Sequence, residues 1–349
     1  MSWIPRLKQL TQRVIDSQHL QSEHPNPTTP ILTAQAIHDL PETYAQLPAQ
    51  LTQLMMANLR LSHAMRQGEQ LSPFTGVGFE YEESRPYQIG DEIRRINWPL
   101  MAKTGQPYTK YFQEERQASW FILVDHRHSM RFGTHTRLKA TQASRIAGYF
   151  AWLAQQSATP IVGARLTERL EQTPVLEGRG SYEQIMQLFA SPCPPPLTHT
   201  EPTHTMARLN DVLLELLPHL QIGTRLILVS DFHGIDLQTT ERLITLQQRA
   251  MITAICIQDP VEQSLPEIHG LQLHSMRTSN TLALDTPDKR HAYHTWAQQY
   301  QQRLQSHLQQ AGIAPFTLQT DQPLSAITLA KDFITAHHES AEESRYAQE

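Results

Sequence analysis

From Ser119 onward the chain alternates short apolar runs with longer amphipathic stretches, and that alternation constrains the fold more than any other feature. A short run rich in Val, Ile, Leu and Phe reads as a strand buried on both faces. A following stretch with apolar residues every three or four positions reads as a helix laid across it. Such pairs are βα units, whose strands lie parallel in one sheet covered by helices, so the expected fold class is α/β. The strands are expected at residues 120–124, 160–166, 225–230, 251–257 and 314–319. The helices are expected at 136–156, 182–189, 206–217, 237–249 and 287–310, with another near 324–337. The stretch 191–202, reading SPCPPPLTHTEP, is a loop, because closely spaced prolines remove donors and bias their predecessors away from the helical region.

Four segments are expected along the 349 residues, of which 39% are apolar, enough for a substantial core. Residues 1–70 form a polar, Gln-rich leader followed by one amphipathic helix over 45–65, where Leu47, Leu51, Leu54, Met55, Leu59 and Leu61 recur at helical steps. Residues 71–117 are aromatic, charged and punctuated by Gly76, Gly78, Gly90 and Gly105, the texture of a small β-rich module around a helical stretch at 93–103. Residues 118–338 carry the βα pattern, and 339–349 form a polar tail.

Charge and motifs exclude several classes. With 29 Lys plus Arg against 34 Asp plus Glu, a formal charge of −5 and no basic arm, the chain is not expected to bind nucleic acid. The longest apolar stretches are strand-length, far below the roughly 20 residues of a membrane helix, and no secretory signal is readable at the N-terminus, so a soluble, cytoplasmic protein is expected. Cys193 and Cys256 have no metal or disulfide spacing. No P-loop, Gly-x-Gly-x-x-Gly after a strand, Gly-x-Ser-x-Gly or His-Glu-x-x-His occurs. Glu82, Glu83, Glu114 and Glu115 are adjacent pairs, and neighbours on a strand point to opposite sides, so they read as solvated edges. Trp296, Tyr300, Leu304 and Leu308 fall on one helical stripe, read as a core face.

Binding groups in an open α/β sheet collect where strands end. The run ending at Val124 is followed by Asp125-His126-Arg127-His128-Ser129-Met130, and the run ending at Val229 by Ser230-Asp231-Phe232. Two acidic residues therefore top two strands, placed to share a cation or a basic partner group; the bland alternative is that each caps a nearby turn or helix. His126 and His128 are read as background in a chain with 18 histidines, not as zinc ligands.

An acidic residue, a hydroxyl four positions later, a long helix and a later Ser-Asp after a strand resemble a von Willebrand factor A domain. Upstream, Gly78-Phe79-Glu80 and then Arg85, Tyr87, Gly90, Asp91, Arg94, Ile96 and Trp98, in the pattern Arg-x-Tyr-x-x-Gly-Asp-x-x-Arg-x-Ile-x-Trp, resemble the hallmark of the domain-of-unknown-function family fifty-eight. In that family the element precedes a von Willebrand factor A-like domain, and the resemblance covers about residues 71–333. It implies a Rossmann-like parallel sheet, and a non-enzymatic adaptor acting with a MoxR-type AAA+ ATPase and a client protein in a chaperone-like or assembly role. On the residues themselves, Asp91 is read as an N-cap, Trp98 as filling a core, and Arg85, Asp91, Arg94 and Arg95 as an ion-pair cluster.

The resemblance also implies a Mg²⁺ site with Asp125, Ser129, a Thr and Asp231 as oxygen donors, the Thr being Thr205 or Thr203. This sequence departs from the pattern at Arg127, where a cation stands in the place of a hydroxyl. Turned inward, the guanidinium forks onto the carboxylates and supplies the positive charge itself; turned outward, it leaves a Mg²⁺ site with fewer donors. The partner-binding face expected is Asp125, Arg127, Ser129 and Asp231. The alternative is a metal-dependent hydrolase with Asp125 and Asp231 holding Mg²⁺ and His128 or His233 as base.

Overall fold

Seven strands form the main sheet in the computed structural model, which describes residues 12–15, 29–48, 83–87, 96–111, 119–193, 208–267, 272–275, 281–283 and 286–329. They are β1 (Trp120–Asp125), β2 (Ile161–Leu166), β3 (Leu170–Gln172), β4 (Thr224–Ser230), β5 (Ala250–Gln258), β6 (Phe316–Gln319) and β7 (Thr328–Leu329). Their order across the sheet is β7-β6-β5-β4-β1-β2-β3. The five inner strands are parallel, and both edges, β3 and β7, run antiparallel to their neighbours. Omitting β7, this is the doubly wound order in which the chain starts in the middle, builds outward one way, then returns and builds the other way. The point of reversal lies between β1 and β4, which pair from Trp120 opposite Arg225 to Val124 opposite Val229.

The inner strands read as nearly unbroken apolar runs because both faces are covered. Alternate side chains of β1 enter different cores: Trp120, Ile122 and Val124 on one side, Phe121 and Leu123 on the other. The first core is closed by α1 (Ala34–Ala45), α2 (Lys139–Gln156) and α3 (Ser181–Phe189). The second is closed by α4 (Leu209–Leu216), α5 (Leu237–Leu246) and α6 (Pro287–Gln310). Crossovers on opposite faces leave a crevice beyond the carboxyl ends of β1 and β4.

Several expectations change here. A helix is present at Ala34–Ala45, inside the stretch read as leader, despite Pro41 in its interior. Thr33 caps it by accepting the Ala36 amide at 3.1 Å. Tyr44 then anchors it, donating its hydroxyl to the Arg145 carbonyl at 2.7 Å while its ring packs against Tyr149 and Trp152. Tertiary packing thus outweighs the missing donor of Pro41. Of the expected helix at 45–65, residues 49–65 lie outside the described residues. The helix expected near 324–337 is instead a single 3-10 turn, Leu324–Ala326, followed by β7, because Thr328 pairs with Thr317 and extends the sheet edge; residues from 330 lie outside the described set.

The chain divides into two units, Met1–Gln67 with Ala118–Glu349, and Gly68–Gln117. In the first, besides the main sheet, Gln12–Ile15 and Thr281–Ala283 each pair antiparallel with Gln272–Ser275. The second contains the antiparallel strands Glu83–Pro86 and Tyr108–Tyr111 and a short helix, Trp98–Thr104. That helix starts later than the expected 93–103. Asn97 is its N-cap, accepting from the Leu100 amide at 3.2 Å, with Pro99 in the first turn and Gly105 closing it in the left-handed conformation. Gly90, Asp91, Arg94 and Arg95 lie outside the described residues. Trp98 does not fill a core: it is 56% exposed, whereas Ile96 is buried.

Candidate functional site

Asp125 ends β1 at the reversal point with only 1% of its surface exposed. The chain turns immediately, and the carboxylate is caught by its own turn. Its Oδ1 accepts the Arg127 amide at 2.9 Å and Arg127 Nε at 3.0 Å; its Oδ2 accepts Arg127 Nη2 at 2.7 Å. Arg127 is therefore turned inward, forked onto Asp125, and of the two orientations open in the sequence the guanidinium takes the first. From β4, Ser230 donates its hydroxyl to Asp125 Oδ2 at 2.6 Å and accepts the Phe232 amide at 2.8 Å. Phe232, fully buried, holds a left-handed backbone with φ 49° at this bend.

Asp231 faces a different cation. Its Oδ2 accepts Lys139 Nζ at 2.8 Å and its Oδ1 the His233 amide at 3.0 Å. Lys139 also reaches Glu262 Oε1 at 2.6 Å, in the turn that follows β5. Glu262 in turn accepts the Asp259 amide at 2.9 Å. The Asp259 carboxylate, fully buried, takes the Thr134 amide and hydroxyl, the Val261 amide and the Thr320 hydroxyl. Arg137 and Gln142 bind the Thr320 and Gln319 carbonyls. The loops after β1, β4, β5 and β6 are thus laced together along one rim of the sheet. Gly133 serves the tight path of the first loop, since a Cβ there would run into the Arg137 carbonyl oxygen.

Charge states follow from these contacts. Burial works against the charged forms of Arg127 and Lys139, but the attraction of Asp125 for the first and of Asp231 and Glu262 for the second prevails, and both cations are held above their ordinary pKa. Burial likewise opposes ionised Asp231, yet Lys139, then His233 and Arg127, keep it well below the usual carboxylate range. Glu262 goes the other way: burial raises it more than Lys139 lowers it. His126 is fully buried, its Nε2 3.0 Å from the Ser144 hydroxyl, and burial followed by the Arg165 charge lowers its pKa to about 3.

The residue that the sequence reading missed is Lys139. It occupies the first position of α2, where the helix dipole disfavours a cation, and it is only 2% exposed. The trace it leaves in the sequence, a lysine at the head of the first helix after a strand-end aspartate, does not by itself show what it pairs with. Glu262 and Asp259 were missed for want of any local pattern. Ser129 lies half-buried in the 3-10 turn His128–Met130. Among the described residues no hydrogen bond joins it to Asp125 or Asp231. Thr203 and Thr205 lie outside the described residues, as do Glu82, Glu114, Glu115 and the side chain of Glu83. The aromatic stripe of α6 is a core face only in part: Leu304 and Leu308 are buried, while the Tyr300 hydroxyl reaches His233 Nδ1 at 3.3 Å, on the rim.

A dication does not fit this donor set. Asp125 and Asp231 direct their oxygens at a guanidinium and an ammonium, and a metal would have to displace both charges. Among the described residues no group of three His, Cys, Asp or Glu is arranged to hold a metal ion. The hydrolase alternative loses its metal-holding pair for the same reason.

Residues 83–303 match the family model described as "Protein of unknown function DUF58". The "Uncharacterized protein Mb1516" of Mycobacterium bovis and the "Uncharacterized protein Rv1480" of Mycobacterium tuberculosis are each 26% identical to the chain over 230 residues, 65% of this chain and 70% of theirs. The crystal structure of "conserved hypothetical protein BatB" from Bacteroides thetaiotaomicron overlaps 66% of this chain and 100% of its own, at 12% identity and a TM-score of 0.35, below the level at which a shared fold follows. No helix among the described residues is long and apolar enough to cross a membrane.

Proposed function

The chain belongs to the family described as "Protein of unknown function DUF58", and from that membership we propose that it is a non-enzymatic adaptor that recognises a protein partner through the rim at the end of β1 and β4. On this reading the main unit is a von Willebrand factor A-type domain with a degenerate adhesion face, the partner is a MoxR-type AAA+ ATPase, and the protein delivers a client to it in the cytoplasm. The observation that carries the reading is the pairing of Asp125 with Arg127 and of Asp231 with Lys139 at the sheet's reversal point. Both carboxylates that would act as base or metal ligand are committed to internal ion pairs, which leaves little for catalysis. Four loops laced by buried hydrogen bonds present a stiff edge, and a preorganised surface loses little freedom on binding a partner.

Capture of the purified ATPase by the full-length chain, followed by calorimetry, tests the proposal. Binding weakened about tenfold or more by Arg127→Ala, with the fold retained, is the expected result. An ATPase that binds the variant and the unaltered chain equally well, or neither, removes this rim as the docking face.

A further inference from the structure

We propose that Arg127 and Lys139 act as a pair of permanent internal cations that closes the Asp125–Asp231 face to divalent metals, so that opening it requires removal of both. One cation comes from the loop after β1 and the other from the start of the helix that follows it. Arg127 sits two residues beyond Asp125 and wraps back on it through Nε and Nη2, at 3.0 and 2.7 Å from the nearest carboxylate oxygens. Lys139 comes from the first turn of α2 and spans Asp231 and Glu262, at 2.8 and 2.6 Å. The charge of the guanidinium plus that of the ammonium equals the charge of one dication, delivered by groups that cannot dissociate.

The second cation makes this more than the replacement of one ligand. If Arg127 alone blocked the face, a single substitution to a hydroxyl would suffice to admit a metal. With Lys139 still 2.8 Å from Asp231 Oδ2, an incoming dication meets an ammonium only 3% exposed, where repulsion is weakly screened. Removing both leaves Asp125 and Asp231 without their cations, oxygen donors of the kind that Mg²⁺ or Mn²⁺ takes. This inference does not rest on the adaptor reading, because the test uses the metal alone and no partner.

Calorimetric titration of Mn²⁺ into the full-length chain, Arg127→Ser, and Arg127→Ser with Lys139→Gln decides it. No heat of binding is expected from the unaltered chain. Weak binding or none is expected from the single variant, and affinity about tenfold or more higher from the double variant, with a rise in its thermal midpoint on adding metal. Metal binding by the unaltered chain that Asp125→Ala abolishes overturns the proposal. So does a folded double variant that stays silent. Should the double variant fail to fold, the single variant still decides: tight binding by Arg127→Ser shows that Lys139 blocks nothing, while its silence or weak binding, with the unaltered chain silent, supports the double closure.

Discussion

Lys139 Nζ lies 2.8 Å from Asp231 Oδ2 although the two residues are 92 positions apart in the chain. The contact joins the start of α2 to the loop after β4, across the crevice where the sheet reverses direction. With Glu262 as its other partner, Lys139 ties together three loops that approach one another only in the folded state.

Replacing Lys139 by Met is expected to destabilise the protein by about 3–5 kcal/mol, since it leaves the buried Asp231 carboxylate and the partly exposed Glu262 without their shared cation. Adding Asp231→Asn to that variant recovers part of the loss, because the amide carries no charge to desolvate. Urea denaturation of the two single variants and the double variant measures this as a cycle. Additive effects would show that Lys139 and Asp231 do not act on each other.

Ser230→Ala removes a hydroxyl that donates to Asp125 at 2.6 Å and receives the Phe232 amide at 2.8 Å. The buried amide and one carboxylate oxygen each lose a partner, and the expected loss is about 1–3 kcal/mol. The denaturation midpoint is the readout. A stability indistinguishable from the parent would mean that the bend at Phe232 holds without this bridge.

His126 makes stability depend on pH. Its folded pKa, about 3, lies below the ordinary 6.5, so between these values the unfolded chain binds a proton that the folded chain does not. Stability contributed by the neutral ring is present above pH 6.5 and is lost as pH falls toward 3, at about 1.4 kcal/mol per pH unit well inside that window. Urea midpoints for the parent and His126→Gln, followed from neutral to mildly acidic pH, are expected to fall more steeply for the parent. Parallel curves would remove His126 as the source of the slope.

Gly148 lies in α2 where Tyr44 and Met186 approach the backbone: an added Cβ would stand 2.5 Å from the Tyr44 hydroxyl and 2.6 Å from the Met186 sulfur. Gly148→Ala is therefore expected to cost about 1–3 kcal/mol despite the better helix propensity of alanine. Because Tyr44 anchors α1, limited proteolysis should cut near residues 34–45 faster in the variant. Unchanged protection of that helix would contradict the packing described.

The βα pattern was legible because it is a local property. The apolar runs ending at Val124 and Val229, and the long helix ending at Gln310, stand where periodicity placed them, with boundaries shifted by a residue or a few. The short edge strands Leu170–Gln172 and Thr328–Leu329 were not legible. Each is two or three residues long and is a strand only by virtue of its neighbour. Helix α1 was hidden by Pro41, and its place is held by the contacts of Tyr44 with α2 rather than by propensity.

At the site, the residue order Asp125-His126-Arg127 already brought a cation within reach of its own carboxylate, since a turn after a strand folds position two back on the first. The chemistry of the pair was thus written locally; whether the guanidinium turned inward was left open until the fold supplied Ser230 and the closed rim around it. Lys139, Glu262, Asp259 and Thr320 belong to the same rim by tertiary structure alone. Side-chain periodicity depends on a few consecutive residues and is readable along the chain, whereas a buried ion pair depends on which strand ends the sheet order sets side by side, and that order is a property of the whole fold.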